Sequence, residues 1–185
     1  SDGNKDRLSK IAQERSTVRL RGLNLIRGGH LEKIYQEAEA EAKEEFEHFK
    51  FHPTFIAGIS IYWGEGDKAT KHLIRVGNID PLMIELFVKF LNEICGVSKE
   101  KIRAHILLYP DLNKKECSKY WIARSGLSNS NFNKSVIIIG RHKTRRIPYG
   151  VCYITVSSAY LKKKMFVWLS MLPKELIKGQ YYTRE

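Results

Sequence analysis

Apolar side chains recur at helical spacing over the first part of the chain. The segments 4–27 and 30–51 both place apolar residues one turn apart, so each is predicted to be a helix. The second segment is rich in Ala, Glu and Lys, and its apolar stripe consists of Leu31, Ile34, Tyr35, Ala38, Ala42 and Phe46. Pro53 breaks this helix. The pattern therefore predicts a helical arm or connector over residues 1–52 and a second domain over residues 53–185.

After Pro53, segments of helical period alternate with segments of period two. A helix is expected over residues 54–64, and another begins with Asp80 as N-cap and Pro81 at its first position and stops at Gly96. Between these helices, "KHLIRVGNID" has the alternation typical of a strand, with inward and outward sets His72, Ile74 and Val76 against Lys71, Leu73 and Arg75.

The second half of the chain continues the same alternation. "KIRAHILLY" predicts a strand in which Ile102, Ala104, Ile106 and Leu108 oppose Lys101, Arg103, His105 and Tyr109. A short helix is expected from Asn113 to near Gly126. Two more strands, "KSVIIIGR" and "YGVCYITVSS", surround the basic loop "RHKTRRIP", and a final helix is capped by Ser157 or Ser158 and ends at Pro173. Trp63, Trp121 and Trp168 lie on apolar helix faces and are expected in the core.

This order of elements predicts an α+β fold, in which helices back one side of a mixed, largely antiparallel sheet. The other side of such a sheet is free. Because side chains alternate between the two faces of a strand, the free face is expected to bring together Lys71, Arg75, Arg103 and His105.

The charge pattern points to a polyanionic partner. Residues 1–52 contain equal numbers of basic and acidic side chains, so residues 53–185 carry the whole net charge of +12. No acid occurs between Glu116 and Glu175, a span with many lysines and arginines. Acids there would repel phosphates, so their absence favours nucleic-acid binding over a charge that serves solubility alone, which usually mixes both signs. The loop "GRHKTRRIPYG" is a candidate phosphate contact, with a solvated hairpin tip as the alternative.

The helix predicted over residues 54–64 carries a stripe of small residues. Ala57, Ser60 and Gly64 lie on one side of it, and Gly64 costs a helix interior about 1 kcal/mol relative to Ala, which indicates a packing role. Two such helices in close contact would place two copies of Glu65 side by side. A pair of carboxylates at that seam could hold a divalent metal against a phosphodiester. The alternative for Glu65 is an acid at a helix end in solvent.

The segment "GISIYWGEG", residues 58–66, resembles the LAGLIDADG motif of homing endonucleases. In this alignment Ser60 and Gly64 take the two small packing positions, Glu65 takes the terminal metal-binding acid, and Trp63 stands where the motif often has aspartate. The resemblance covers residues 54–172. Three further segments are also similar to LAGLIDADG-like proteins of bacteria and archaea: "VGNIDPLMIELFVKFL", "KYWIARSG" and "PYGVCYITVSS". The resemblance implies that the sheet lies on DNA, that two copies of the motif helix form a two-fold interface, and that basic residues lie near the metal. The candidates for that basic role are Lys68, Lys134, Arg141 and Lys143; Lys134 and Glu65 form the predicted catalytic pair.

The resemblance implies a Mg²⁺- or Mn²⁺-dependent endonuclease that acts on double-stranded DNA. With one motif per chain, it would be a homodimer on a near-palindromic site, joined through Ala57, Ser60 and Gly64. A DNA-binding regulator that lost cleavage is the main alternative, and an RNA-binding or RNA-splicing role is a third. The predicted nucleic-acid contacts are Lys68, Lys71, Arg75, Arg103, His105, Arg141, Lys143, Arg145 and Arg146.

The three cysteines, Cys95, Cys117 and Cys152, are odd in number and widely spaced. They are expected to be reduced and mostly buried, as in an intracellular protein, either cytoplasmic or associated with the nucleoid. No apolar run approaches the roughly 20 residues of a membrane span, so no membrane partner is expected.

Overall fold

The computed structural model describes residues 28–138 and 147–178. These residues form five α-helices and four strands in the order that the sequence predicts. The helices are α1 (28–49), α2 (Pro53–Glu65), α3 (Pro81–Lys89), α4 (Lys114–Arg124) and α5 (Ala159–Lys178). The strands are β1 (Leu73–Asn78), β2 (Arg103–Leu108), β3 (Val136–Ile137) and β4 (Val151–Ser157).

The helix boundaries follow the signals in the sequence. α1 ends before Pro53, which occupies the first turn of α2. The Asp80 side chain accepts a hydrogen bond from the backbone N–H of Leu82 and so caps α3. α3 continues as one π-helical turn, Phe90–Ile94, and the chain leaves it at Gly96, whose positive φ of 65° suits glycine. The helix predicted over residues 4–27 lies outside the described residues.

The four strands form one mixed sheet in the order β1-β4-β2-β3. β4 pairs antiparallel with both β1 and β2, and the short edge strand β3 pairs parallel with β2. The sheet is extended at the β1 edge by an antiparallel bridge between Gly66 and Val76. This bridge ties the end of α2 directly to the sheet.

One face of the sheet is covered by the helices and the other is open. Alternate strand residues are buried among the helices, namely Ile74, Val76, Ala104, Ile106, Leu108, Cys152, Ile154 and Val156. Their neighbours on the strands are exposed or half-buried. The predicted α+β fold, with helices on one side of a sheet, is thereby confirmed.

Aromatic rings fill the space between the helices. Phe55 of α2 contacts Phe46 of α1, Phe90 and Trp168, with ring centroids 5.3–6.5 Å apart. The buried indole of Trp168 also donates a hydrogen bond to the backbone oxygen of Ala42. The helix at residues 28–49 therefore shares one core with the rest of the described chain.

Three expectations about individual positions are wrong. α5 does not end at Pro173 but continues through it to Lys178. His72 does not point inward, because it lies one residue before β1 and is exposed. Trp63 is not a core residue, because it is 57% exposed.

The three cysteines are free thiols, and Cys117 and Cys152 are buried. Burial raises the pKa of Cys152 to about 12, so this thiol is protonated at neutral pH. Among the described helices, none combines the length and the apolar character that crossing a bilayer requires.

Candidate nucleic-acid interface

The open face of the sheet carries two cross-strand rows. In the first row, Arg75 of β1 and Arg103 of β2 flank Thr155 of β4, because both arginines pair with Thr155 in register. Both arginine side chains are exposed. The Thr155 hydroxyl donates a hydrogen bond to the backbone oxygen of Arg103 at 3.2 Å. The strand alternation thus brings two guanidinium groups onto one surface, as predicted for these two positions.

The second row consists of Gly77, Tyr153 and His105, which are also paired in register. The Tyr153 ring occupies the space where a side chain at Gly77 would lie, since a Cβ there would be only 2.3 Å from the ring. The His105 ring stacks on Tyr153 with centroids 4.9 Å apart and planes 5° from parallel. Because Gly77 has no side chain, the Tyr153 ring can pack over it, and the stacked rings of Tyr153 and His105 lie beside the arginine row.

His105 is held in its neutral form at pH 7. Burial lowers its pKa below the ordinary histidine value, and the positive charge of Arg75 lowers it further. A neutral imidazole has one donor and one acceptor nitrogen, so His105 can exchange hydrogen bonds with base edges or sugar hydroxyls. The permanent positive charge of this surface comes from the arginines.

The end of α2 reaches the edge of the same surface. The backbone N–H of Asp67 donates to the oxygen of Arg75 at 2.8 Å, and the Asp67 carboxylate lies 3.2 Å from the Arg75 guanidinium. Glu65 stands one residue before the bridge between Gly66 and Val76. Glu65 is therefore placed at the β1 edge of the sheet.

A buried lysine fixes this end of α2. Lys162 of α5 is only 1% exposed, and its three N–H donors meet three oxygens. It donates to the Tyr62 hydroxyl at 2.6 Å, to the Leu73 backbone oxygen at 2.9 Å and to the Asp67 backbone oxygen. The contacts join α5, α2 and the loop that leads into β1.

Glu65 itself is exposed, at the last residue of α2. The neighbouring carboxylate of Asp67 is already engaged, since it accepts hydrogen bonds from Ala69, Thr70 and Arg75. Among the described residues there is no cluster of three His, Cys, Asp or Glu side chains suited to a metal. Of these two carboxylates, Glu65 is the one that has no partner among the described residues.

The two faces of α2 differ sharply. Gly58 faces inward, where a Cβ would collide with the Phe90 ring at 2.1 Å. On the other side, Ser60 and Gly64 are exposed and Ala57 is half-buried, and a Cβ at Gly64 would meet no atom within 4 Å. The predicted stripe of small residues is therefore on the outer surface of the described chain, where it is available to a second helix.

The remaining predicted contacts are spread more widely. Lys68 is exposed and donates to the Gly66 backbone oxygen at 2.9 Å, near the end of α2. Lys71 is exposed but lies before β1 begins, so it is not on the strand face where alternation placed it. Arg141, Lys143, Arg145 and Arg146 lie outside the described residues.

Lys134 and Glu65 are not brought together within one chain. Lys134 lies two residues before β3, at one edge of the sheet, whereas Glu65 adjoins β1 at the opposite edge. Three strand spacings separate these edges, which is roughly 14 Å. Lys134 and Glu65 could act on the same phosphate only if they came from two different chains.

Sequence reasoning overlooked Tyr153 and Thr155, and it did not predict the internal contacts of the three lysines of α5. Tyr153 and Thr155 complete both rows of the open face, and the alternation within "VCYITVSS" could have found them. The three consecutive lysines of α5 are used inside the protein: Lys162 binds Tyr62, Lys163 pairs with Glu39, and Lys164 pairs with Glu45. The contact of Lys162 depends on the packing of α5 on α2, and the ion pairs of Lys163 and Lys164 depend on the packing of α5 on α1.

Comparisons with models of protein families, with curated proteins and with solved structures found no match for this chain.

Proposed function

We propose that the chain is a DNA-binding protein that lays the open face of its sheet on a double helix. The observation that carries the proposal is the pair of rows on that face: Arg75 and Arg103 beside the stacked rings of Tyr153 and His105. Arginine side chains bind phosphates and guanine edges, and the neutral polar rings can contact base edges. The excess of basic residues in 53–185 supports the same partner.

The protein acts as a homodimer through the outer side of α2 in this proposal. Ser60 and Gly64 are exposed and small, so two helices could approach closely there, and the exposed Trp63 would gain a covering partner. A two-fold pairing would set two open faces side by side, which suits a near-palindromic site. The resemblance of "GISIYWGEG" to the LAGLIDADG motif points to the same seam.

The binding proposal is tested by fluorescence anisotropy with a 30-base-pair duplex at several salt concentrations. Arg75→Gln/Arg103→Gln should weaken binding at every sequence and reduce the slope of log K against log salt by about 2, since each phosphate contact contributes about 0.9. Lys43→Gln/Lys89→Gln removes the same charge from two exposed helix pairs and serves as the control. Equal losses for both variants would show that the charge acts without the open face, and would refute the proposal.

Phosphodiester cleavage is the second candidate function, and the exposed Glu65 at the edge of the open face favours it. A Mg²⁺ or Mn²⁺ ion held by two copies of Glu65 would polarise the phosphate and activate water. Nicking of supercoiled plasmid by the wild type, and its loss in Glu65→Gln, would support this function. If the wild type binds the plasmid and leaves it intact with either metal, the protein is a non-cleaving DNA-binding regulator.

The dimer is tested by sedimentation of Gly64→Leu, in which a large side chain replaces the smallest one on the stripe. The wild type should sediment as a dimer at high concentration or on DNA, and Gly64→Leu as a monomer. A wild type that stays monomeric in both conditions rules out the α2 seam.

The RNA-binding alternative is tested by fluorescence anisotropy with a duplex RNA that has the sequence of the 30-base-pair DNA duplex.

A further inference from the structure

A three-layer stack of side chains lies at the end of α4, outside the open face of the sheet. The rings of Tyr120 and Tyr149 are nearly parallel, 5° apart, with centroids separated by 3.7 Å. The Arg124 guanidinium lies 4.3 Å from the Tyr120 centroid. Because Tyr149 occupies one face of the Tyr120 ring, the guanidinium covers the other face. Tyr149 forms the outer layer of this stack and is 38% exposed.

The backbone holds the outer ring in place. The indole N–H of the buried Trp121 donates to the backbone oxygen of Tyr149 at 2.9 Å. The next residue, Gly150, has a φ of 69°, and a Cβ there would be 2.3 Å from the Leu107 backbone oxygen. Tyr149 is therefore fixed between a core tryptophan and a tight glycine turn, so its ring is ordered before any ligand arrives.

The surface of α4 around the stack is basic. Lys114, Lys115 and Lys119 are exposed, and Arg124 adds a fourth positive charge. Glu116, one turn before Tyr120, is the acid on this helix. A cationic surface next to an ordered, exposed aromatic ring is the combination with which proteins bind single-stranded nucleic acids, since the charges follow the backbone and the ring stacks on a base.

We propose that the Arg124–Tyr120–Tyr149 stack is a second nucleic-acid site, which takes an unpaired nucleotide on the exposed Tyr149 ring. α4 contacts α3 and β2 in the helical layer, so this site is separate from the rows of Arg75 and His105. The inference rests on the proposed nucleic-acid function and extends it from the duplex to a single-stranded flank or an extruded base. The stack holds the Tyr149 ring in position for such a base, because Tyr149 packs on Tyr120 and the Arg124 guanidinium is attracted to the Tyr120 ring.

The test uses two short fluorescent probes with the same charge: a thymidine tetranucleotide and a tetramer of abasic deoxyribose phosphate. Their ratio of affinities measures base stacking alone. The wild type should bind the thymidine probe about 5- to 100-fold more tightly than the abasic probe. Tyr149→Ala should bring this ratio close to 1, whereas Tyr149→Phe, which keeps the ring, should preserve it. Arg124→Gln should give an intermediate ratio.

A 2-aminopurine base in the probe supplies an independent readout, since stacking quenches its fluorescence. Quenching by the wild type and by Tyr149→Phe, but not by Tyr149→Ala, is the expected result. A ratio that Tyr149→Ala leaves unchanged overturns the proposal, as does a wild-type ratio of 1. The 30-base-pair duplex separates the two proposals: if the duplex binds and the ratio is 1, only this inference fails, and if neither probe nor duplex binds, nucleic-acid binding itself fails. A uridine tetranucleotide tests whether RNA or DNA is preferred.

Discussion

At the scale of single residues, Lys162 has a role that the basic sequence around it does not predict. It belongs to a basic stretch that predicts phosphate contacts, yet its ammonium is enclosed and donates to Tyr62, Asp67 and Leu73. Burial lowers the pKa of this lysine, because desolvation disfavours its charged form. The hydrogen bonds to three oxygens offset the cost of desolvation, and they fix the end of α2 to α5.

Tyr62→Phe should destabilise the protein by about 1.5–3 kcal/mol, the range for a hydrogen bond to a charged group. In the Lys162→Met background the same change should cost only about 1 kcal/mol, since the hydroxyl then bonds only to the Asp67 backbone oxygen. Urea unfolding of the four proteins in this double-mutant cycle measures the difference. Equal costs in both backgrounds would show that the hydroxyl and the ammonium do not interact.

Asp67→Asn should lower the free energy of unfolding by about 1 kcal/mol at pH 7, since neutral hydrogen bonds replace charge-assisted ones. Hydrogen bonds from Ala69 and Thr70, together with the charge of Arg75, hold the pKa of Asp67 below its ordinary value. Its contribution is therefore complete above the unfolded-state pKa of about 3.9 and is lost as the pH falls through the lower, folded-state value. Urea midpoints at pH 7 and pH 3 should show the difference between variant and wild type shrinking; a difference that stays constant contradicts this assignment.

α2 illustrates the element scale, because it serves two surfaces with two glycines. Gly58 lets the Phe90 ring pack against the backbone, whereas Gly64 has open space beside it. Both residues cost the helix conformational entropy, so each must be explained by its surroundings. The inner glycine is explained by the core, and the outer one by the proposed partner helix.

Gly58→Ala should therefore destabilise the protein by about 1–3 kcal/mol through overpacking, and Gly64→Ala should stabilise the monomer by about 0.5–1 kcal/mol. Thermal unfolding at low protein concentration compares the two with the wild type. The opposite signs within one helix make each variant the control of the other. Stabilisation by Gly58→Ala would mean that Phe90 can move aside.

On the scale of the whole molecule, the arm predicted over residues 1–52 and the domain predicted after Pro53 share one hydrophobic core in the described chain. Ala38, Ala42 and Phe46 of α1 are buried, and Glu39 and Glu45 pair with lysines of α5. The acidic helix thus neutralises part of the basic stretch of α5. Arg75 and Arg103 on the open face and the lysines of α4 are exposed and remain for the proposed polyanionic partner.

Phe46→Ala should cost about 3–5 kcal/mol, the usual penalty for truncating a buried phenylalanine. The neighbouring Glu47→Ala removes one exposed ion pair with Lys50 and should change stability by less than about 1 kcal/mol. Unfolding followed by tryptophan fluorescence reports on Trp168 and Trp121, which lie in the part of the chain after Pro53. No change in their transition on Phe46→Ala would show that α1 stabilises only itself.

The sequence by itself determined the order of the elements, their caps and the burial of alternate strand residues. These features depend on neighbours within a few positions: the Asp80 cap, the stop at Gly96, and the period-two pattern that buries Ile106 and exposes Arg103. It also located Glu65 at the end of a helix with an outer stripe of small residues. Each of these follows from local geometry, which a linear pattern records.

Only the tertiary structure decided which of these residues meet. The strand order placed Lys134 and Glu65 at opposite edges of the sheet, and Gly77 became the partner of Tyr153 through pairing across more than 70 positions. The same holds for Lys162, which is buried because α5 crosses the end of α2, and for Tyr149, which meets Tyr120 through a turn. Such contacts depend on how the helices and strands pack over long separations in the chain, and no local period in the sequence encodes them.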